Sequence, residues 1–208
     1  MGITHVNRRG ETYNLQRGTN ARGKEHFWFG GKITGTPVEQ LPEGFEIHEK
    51  PESAQVFLRK ITPSPILAKE LEQVRAAVGR QVGEGLSLVE IEGKGGREIV
   101  VYLADADPDE RLKELYAKFP MLAAAEAGTR DFMWRMRSFG KMMRFTLVEG
   151  EARHFSVARW CFRGSIDNWY FLEGGAPLAK QLAKYVPHLG RESFYELGGG
   201  LHIAPSAR

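Results

Sequence analysis

Two glutamates and a lysine stand at alternate positions near the middle of the chain, as Glu90, Glu92 and Lys94. Alternate residues of a β-strand project to the same face, so the two carboxylates can point the same way. Such carboxylates can hold Mg²⁺ while a lysine polarises a water molecule. The pattern therefore gives one alternative function, a Mg²⁺-dependent phosphodiesterase or nuclease. The stretch also enters a glycine turn, where charged residues are expected without any catalysis.

Across these residues alone, the chain resembles the acidic-x-lysine element of restriction-like nucleases. The resemblance implies a further acidic residue upstream, for which Glu70 and Glu84 are the candidates. The rest of the chain resembles no known family, and the sequence leaves open whether the protein is an enzyme.

A second acidic stretch, residues 105–110, offers oxygen ligands for Mg²⁺ or Ca²⁺. Helix capping explains it equally well, because Asp107 precedes Pro108 at the start of a predicted helix. The stretch lacks the glycine and the distal glutamate of a calcium loop. The six histidines show no ligand spacing, and the single cysteine has no pair. The sequence therefore predicts no metal site and no cofactor.

Four residues that suit a nucleic-acid backbone follow each other at helical spacing: Arg130, Trp134, Arg137 and Lys141. They share one face of a predicted helix that begins at Thr129, provided that the helix persists to the lysine. Cations neutralise phosphate and an exposed ring stacks on a base. The alternative is a solvated helix face whose tryptophan packs on a neighbouring element. The opposite face is predicted to pack inward through Phe132, Met136 and Phe139.

The N-terminal segment combines the same residue types in a predicted hairpin. Its loop carries Arg17, Arg22 and Lys24, and its second strand carries Trp28 on the same face as His26. One face of the hairpin is predicted to be core and the other a platform for bases. The alternative is an ordinary hairpin with a solvated loop. Two more basic residues precede the hairpin, Arg8 and Arg9.

Charge is distributed unevenly along the 208 residues, although the net charge is only +3. Residues 1–24 hold five Lys and Arg against one acid, and residues 130–163 hold eight against three. Residues 84–110 hold two against eight acids. This distribution indicates either electrostatic docking within the fold or one basic surface for an anionic partner.

The sequence indicates neither a membrane protein nor an exported one. No apolar run approaches the roughly 20 residues that span a bilayer, and the N-terminus lacks the apolar core of a signal peptide. A lone cysteine cannot form an internal disulfide. We therefore expect a cytoplasmic location and no membrane partner, with the oligomeric state left open.

Strand and helix patterns predict an α+β fold with two domains. Residues 1–62 read as a small antiparallel β module, with strands at Thr12–Gln16, Glu25–Phe29, Phe45–Glu49 and Ala54–Ile61. The two prolines of Thr62-Pro63-Ser64-Pro65 then end the strand and stiffen a connector. Residues 66–208 are predicted to form an α+β domain that begins with a helix over 66–82.

The second domain is predicted to be built on an antiparallel β meander over residues 143–172. Its strands are Arg144–Val148, Arg153–Phe162 and Trp169–Leu172, and turns at 149–151 and 163–168 join them. Trp160 is predicted to fill the core from the middle strand. Arg159 points to the opposite face, where it is either paired within the fold or part of a binding surface.

Taken together, these patterns favour a cytoplasmic binding protein whose basic surface meets an anionic partner, DNA or RNA. The alternatives are the Mg²⁺-dependent phosphodiesterase and a protein–protein adaptor whose basic ends meet acidic partners. The predicted nucleic-acid-binding residues are Arg8, Arg9, Arg17, Arg22, Lys24, Trp28, Arg130, Trp134, Arg137 and Lys141.

Overall fold

The computed structural model describes residues 2–150, 152–162 and 167–198. Its strands are β1 Thr4–Val6, β2 Thr12–Thr19, β3 Glu25–Gly30, β4 Thr36–Pro37, β5 Phe45–Glu49, β6 Val56–Lys60, β7 Ser87–Glu92, β8 Glu98–Ala104, β9 Phe139–Leu147, β10 His154–Cys161 and β11 Asn168–Pro177. Its α-helices are α1 Ala68–Val82, α2 Pro108–Lys118, α3 Glu126–Arg135, α4 Leu178–Tyr185 and α5 Ser193–Glu196. Short 3-10 turns lie at Lys94–Gly96, Pro120–Ala125 and Val186–His188. The α+β class with a small N-terminal antiparallel sheet is confirmed.

Contacts between residues divide the chain into two compact units. The first contains Met1–Thr62 and Ala104–Gly140, and the second contains Pro63–Leu103 and the described part of Lys141–Arg208. The unit that holds the N-terminal sheet therefore also holds α2 and α3. The division into domains at residues 1–62 and 66–208 stays a prediction.

The first unit has two small antiparallel sheets. Strand β2 pairs with β1 and β3 and, at Gln16 and Arg17, with β4, while β5 and β6 form a hairpin. Alternation along β2 directs Leu15 to one face, where it meets Phe29 and Val56 in a buried cluster. Gln16 points to the other face and is fully buried there. Both faces of this strand are thus fixed by packing.

Helix α2 begins where the sequence predicts. The Asp107 carboxylate accepts a hydrogen bond of 2.8 Å from the backbone N–H of Asp109, and Pro108 occupies the first helical position. Capping therefore accounts for part of the acidic stretch at 105–110.

The second unit is built on a five-stranded antiparallel sheet in the order β11-β10-β9-β8-β7. Helices α1 and α4 contribute Val74, Val78, Leu178 and Leu182 to one buried cluster with the sheet. The predicted meander is present as β9, β10 and β11, although β9 and β11 extend further than predicted. The turn positions 151 and 163–166 lie outside the described residues.

The two faces of β10 differ from the prediction at Trp160. Phe155 and Val157 fill the core, whereas Trp160 is half-buried and packs edge-on against Trp169 at 5.0 Å between ring centroids. The predicted core position of Trp160 is wrong because α1 and α4 cover the other face of the strand. Arg159 is buried on the core side and donates to the carbonyl of Leu197 at 2.7 Å. It is therefore paired within the fold.

Among the described residues, none of the helices combines the length and the apolar character that crossing a bilayer requires.

Candidate nucleic-acid interface

The loop between β2 and β3, residues 20–24, is ordered by hydrogen bonds within the loop. The Asn20 side-chain oxygen accepts hydrogen bonds from the N–H groups of Arg22 at 2.9 Å and Lys24 at 3.0 Å. Gly23 adopts a φ of 73°, a left-handed conformation that glycine takes without strain. The side chains of Arg22 and Lys24 are exposed, and no carboxylate among the described residues pairs with either. The tip therefore presents two unneutralised cations.

Arg17 stands beside this tip on β2. Its guanidinium lies 3.2 Å from the Glu25 carboxylate across the hairpin, and the two side chains are 53% and 55% exposed. Exposed ion pairs of this kind contribute at most about 1 kcal/mol. A phosphate can therefore compete with Glu25 for this arginine.

Trp28 and His26 form a stacked pair on the second strand. Their ring centroids are 4.6 Å apart and their planes differ by 17°. The indole abuts Gly18 and Gly35, and a Cβ at Gly35 would lie 2.6 Å from the indole Cη2 and from the Arg17 carbonyl oxygen. Trp28 is consequently half-buried, whereas His26 is exposed. The outer ring of the pair is the histidine.

Gln16 holds the segment that closes over the indole. Its side-chain oxygen accepts from the N–H groups of Thr34 at 2.6 Å and Gly35 at 2.8 Å, and its nitrogen donates to the Lys32 carbonyl at 2.7 Å. The sequence did not indicate that Gln16 and Gly35 support the indole, or that His26 is the outer ring of the pair. Gln16 lies in a mostly polar strand that gives no local signal, and its partners follow 16 to 19 residues later.

The two arginines that precede the hairpin face inward. Arg8 pairs with Glu49 at 2.7 Å and donates to the carbonyls of Lys50 and Pro51. Its side chain is 17% exposed, and burial lowers the pKa of its guanidinium while Glu49 opposes that shift. Arg9 donates to the Ser138 hydroxyl at 3.2 Å. Both residues serve contacts within the first unit.

Three of the four predicted helix residues form one cluster, in which two of them bind the same carboxylate. Arg130 binds Asp109 through two hydrogen bonds of 2.8 and 2.9 Å, and the Trp134 indole donates to the same group at 2.9 Å. The Arg137 guanidinium lies 4.4 Å from the Trp134 ring centroid, within cation–π range. These hydrogen bonds from Arg130 and Trp134 lower the pKa of Asp109 from 3.8 to about 2.

Lys141 does not share that face. Helix α3 ends at Arg135, and Lys141 lies in β9, where its ammonium is 3.1 Å from Glu92. The predicted helix is wrong here because strand pairing overrides a local helical pattern. The inward packing predicted for Phe132 and Met136 is also wrong, since these side chains are 57% and 42% exposed.

Within the Glu90, Glu92 and Lys94 pattern, the carboxylate of Glu92 is engaged by two neighbouring side chains. One oxygen of Glu92 accepts from the Tyr102 hydroxyl and the other from Lys141. Lys94 lies in an exposed 3-10 turn beyond the strand. Within the described part of the chain, no group of three or more His, Cys, Asp or Glu is placed to hold a metal ion.

The upstream candidate Glu70 is likewise engaged. It is buried, and Arg153 binds its carboxylate through two contacts of 2.6 Å, which lower its pKa despite burial. The other upstream candidate, Glu84, is exposed beyond the end of α1. The nuclease alternative stays a prediction.

Comparison with known proteins assigns no family: no family model, curated protein or solved structure matches the chain.

Proposed function

We propose that this protein binds nucleic acid through the tip of the β2–β3 hairpin. The supporting observation is that Arg22 and Lys24 are exposed there and that no carboxylate among the described residues neutralises them. The same hairpin carries an ion pair that a phosphate can open and, on its other face, a stacked pair of rings. Cations neutralise the phosphates of a nucleic acid, and aromatic rings stack on its bases.

Each group has a separate role in the proposed complex. Arg22 and Lys24 neutralise phosphates, and Arg17 exchanges Glu25 for a third phosphate oxygen. Trp28 positions the exposed His26. The remaining basic and aromatic candidates stabilise the fold in this proposal, because each already contacts a protein group: Arg8, Arg9, Arg130, Trp134, Arg137 and Lys141. A cytoplasmic location, expected from the lone cysteine, belongs to the same proposal.

The test is a binding titration of the double variant Arg22→Ala/Lys24→Ala at several salt concentrations. Each lost phosphate contact reduces the slope of log K against log salt by about 0.9 for duplex DNA and about 0.7 for a single strand. For the double variant we therefore expect a slope that is smaller by about 1.8 on duplex DNA or by about 1.4 on a single strand. Its melting temperature should equal that of the wild type.

The matched control is Arg80→Ala/Lys118→Ala, which removes one arginine and one lysine that are also exposed. It should bind as the wild type does. No binding by the wild type at about 50 mM salt, or equal losses in both double variants, would overturn the proposal. Equal competition by polyglutamate and by an oligonucleotide of the same charge would favour the adaptor instead.

A further inference from the structure

We infer that the nucleic acid bound at this hairpin is single-stranded and that one of its unpaired bases stacks on His26. The inference rests on the proposed function, and it adds the class of ligand. It depends on three features of the hairpin: the stacked ring pair, the support beneath it and the adjoining cations.

The ring pair has one side that is supported and one that is open to solvent. The Trp28 indole is fixed against Gly18 and Gly35, where added Cβ atoms would approach it to 3.0 and 2.6 Å. His26 lies nearly parallel to it, with 17° between the planes, and is exposed. A base placed on the histidine would therefore continue a stack that already exists, with little loss of side-chain freedom.

The histidine is also uncommitted. No hydrogen bond or ion pair engages its side chain within the described ranges. Its ring nitrogens thus remain available to the edge of a base. A core histidine with a satisfied ring would offer neither its face nor its edge.

Among the cations of the hairpin, Lys24 lies nearest to this ring along the strand. His26 follows Lys24 by two residues and pairs across the hairpin with Gly18, whereas alternation directs the Arg17 side chain to the opposite face. Two residues of strand span about 7 Å, so a nucleotide whose base covers the histidine has its phosphate close to the loop cations. The ring and the charges can therefore engage one strand together.

This geometry selects against duplexes. In a duplex the base faces are covered by their neighbours, and only a single strand presents them without unstacking. Side chains that stack on unpaired bases include histidine. Because every base has a π face, the site should tolerate many sequences.

The experiment compares four ligands: a single-stranded DNA, the RNA of the same sequence, the DNA duplex and an abasic DNA strand of equal length. Stacking on one base is worth about tenfold in affinity. We expect His26→Ala to lose about that factor on the DNA or the RNA single strand, and to equal the wild type on the duplex and the abasic strand. His26→Phe, which keeps a ring, should retain the single-strand affinity.

The two proposals fail in different ways. If Arg22→Ala/Lys24→Ala weakens binding of every ligand but His26→Ala matches the wild type on both single strands, the stacking inference is wrong and the proposed function stands. Equal losses by His26→Ala on all four ligands also overturn the inference, since the abasic strand has no base to stack. If the wild type binds none of the four, the proposed function itself fails.

Discussion

The tip of the β2–β3 hairpin and the cluster around Asp109 contain the same kinds of residue in different states of pairing. Each brings a tryptophan together with two or more cations. At the cluster, Asp109 binds both Arg130 and the Trp134 indole. At the tip, the tryptophan rests against glycines, and the two loop cations have no carboxylate partner among the described residues.

One carboxylate therefore separates a structural cluster from a candidate interface. Asp109 lies 21 residues before Arg130 in the sequence, so counting charges in a local window could not reveal the pair. A basic segment becomes a binding candidate only after its acidic partners in space have been identified.

The largest effect is expected from Gln16→Leu, which removes the support of the hairpin's ring pair. Two backbone N–H groups and one carbonyl lose their partner, and an unsatisfied buried polar group costs about 1–3 kcal/mol. We expect the free energy of unfolding to fall by about 3 kcal/mol, measured by denaturant titration.

The matched control is Asn14→Leu on the same strand face. Its side-chain nitrogen lies 3.4 to 3.5 Å from its two carbonyl acceptors, at the limit of a useful hydrogen bond. A loss below about 1 kcal/mol is expected. Similar losses in the two variants would show that Gln16 does not hold the segment over Trp28.

A smaller effect, specific to the cluster, concerns acid stability. Because the pKa of Asp109 falls from 3.8 to about 2 on folding, its contribution to stability is complete above pH 3.8 and is lost as the pH falls towards 2. The melting temperature of the wild type should therefore exceed that of Asp109→Asn at neutral pH, and the gap should close as the pH falls from about 4 to about 2.

The hairpin supplies the control, because the tip cations have no acidic partner in the described structure. The melting temperature of the double variant Arg22→Ala/Lys24→Ala should differ from that of the wild type by the same amount at every pH in this range. A gap between Asp109→Asn and the wild type that stays constant down to pH 2 would contradict the assigned role of the carboxylate.

Local signals in the sequence predicted the features that depend on neighbouring residues. Asp107 and Pro108 gave the start of α2, and the alternation of apolar residues gave the strands of the N-terminal sheet and the meander. The loop cations and the His26–Trp28 face were also visible as a hairpin pattern. Each of these features is determined by residues that lie close to one another in the sequence.

Features that depend on distant pairing were not predictable in the same way. Lys141 follows Arg137 at helical spacing, but it lies in strand β9 and pairs with Glu92. Trp160 is a large apolar residue of a type that often fills a core, but helices α1 and α4 cover the opposite face of its strand. Gly35 has no local signal, because the reason for a glycine there is the approach of Trp28 and the Arg17 carbonyl.

The smallest expected effect reverses the comparison by removing the carboxylate from the cluster. Asp109→Asn removes the charge that binds Arg130 while leaving an oxygen that can accept from Trp134. If this ion pair is what keeps Arg130 from binding, its loss should raise affinity for nucleic acid at low salt about twofold, because one carboxylate fewer competes with phosphate for the guanidinium. Glu114→Gln on the same helix is the matched control: it makes the same change in net charge, and among the described residues no cation pairs with it.

Fluorescence anisotropy with a labelled oligonucleotide measures the affinity of both variants. An equal gain in affinity for both variants would mean that net charge alone controls binding. The difference in pairing between the cluster and the tip would then not explain which of them binds nucleic acid.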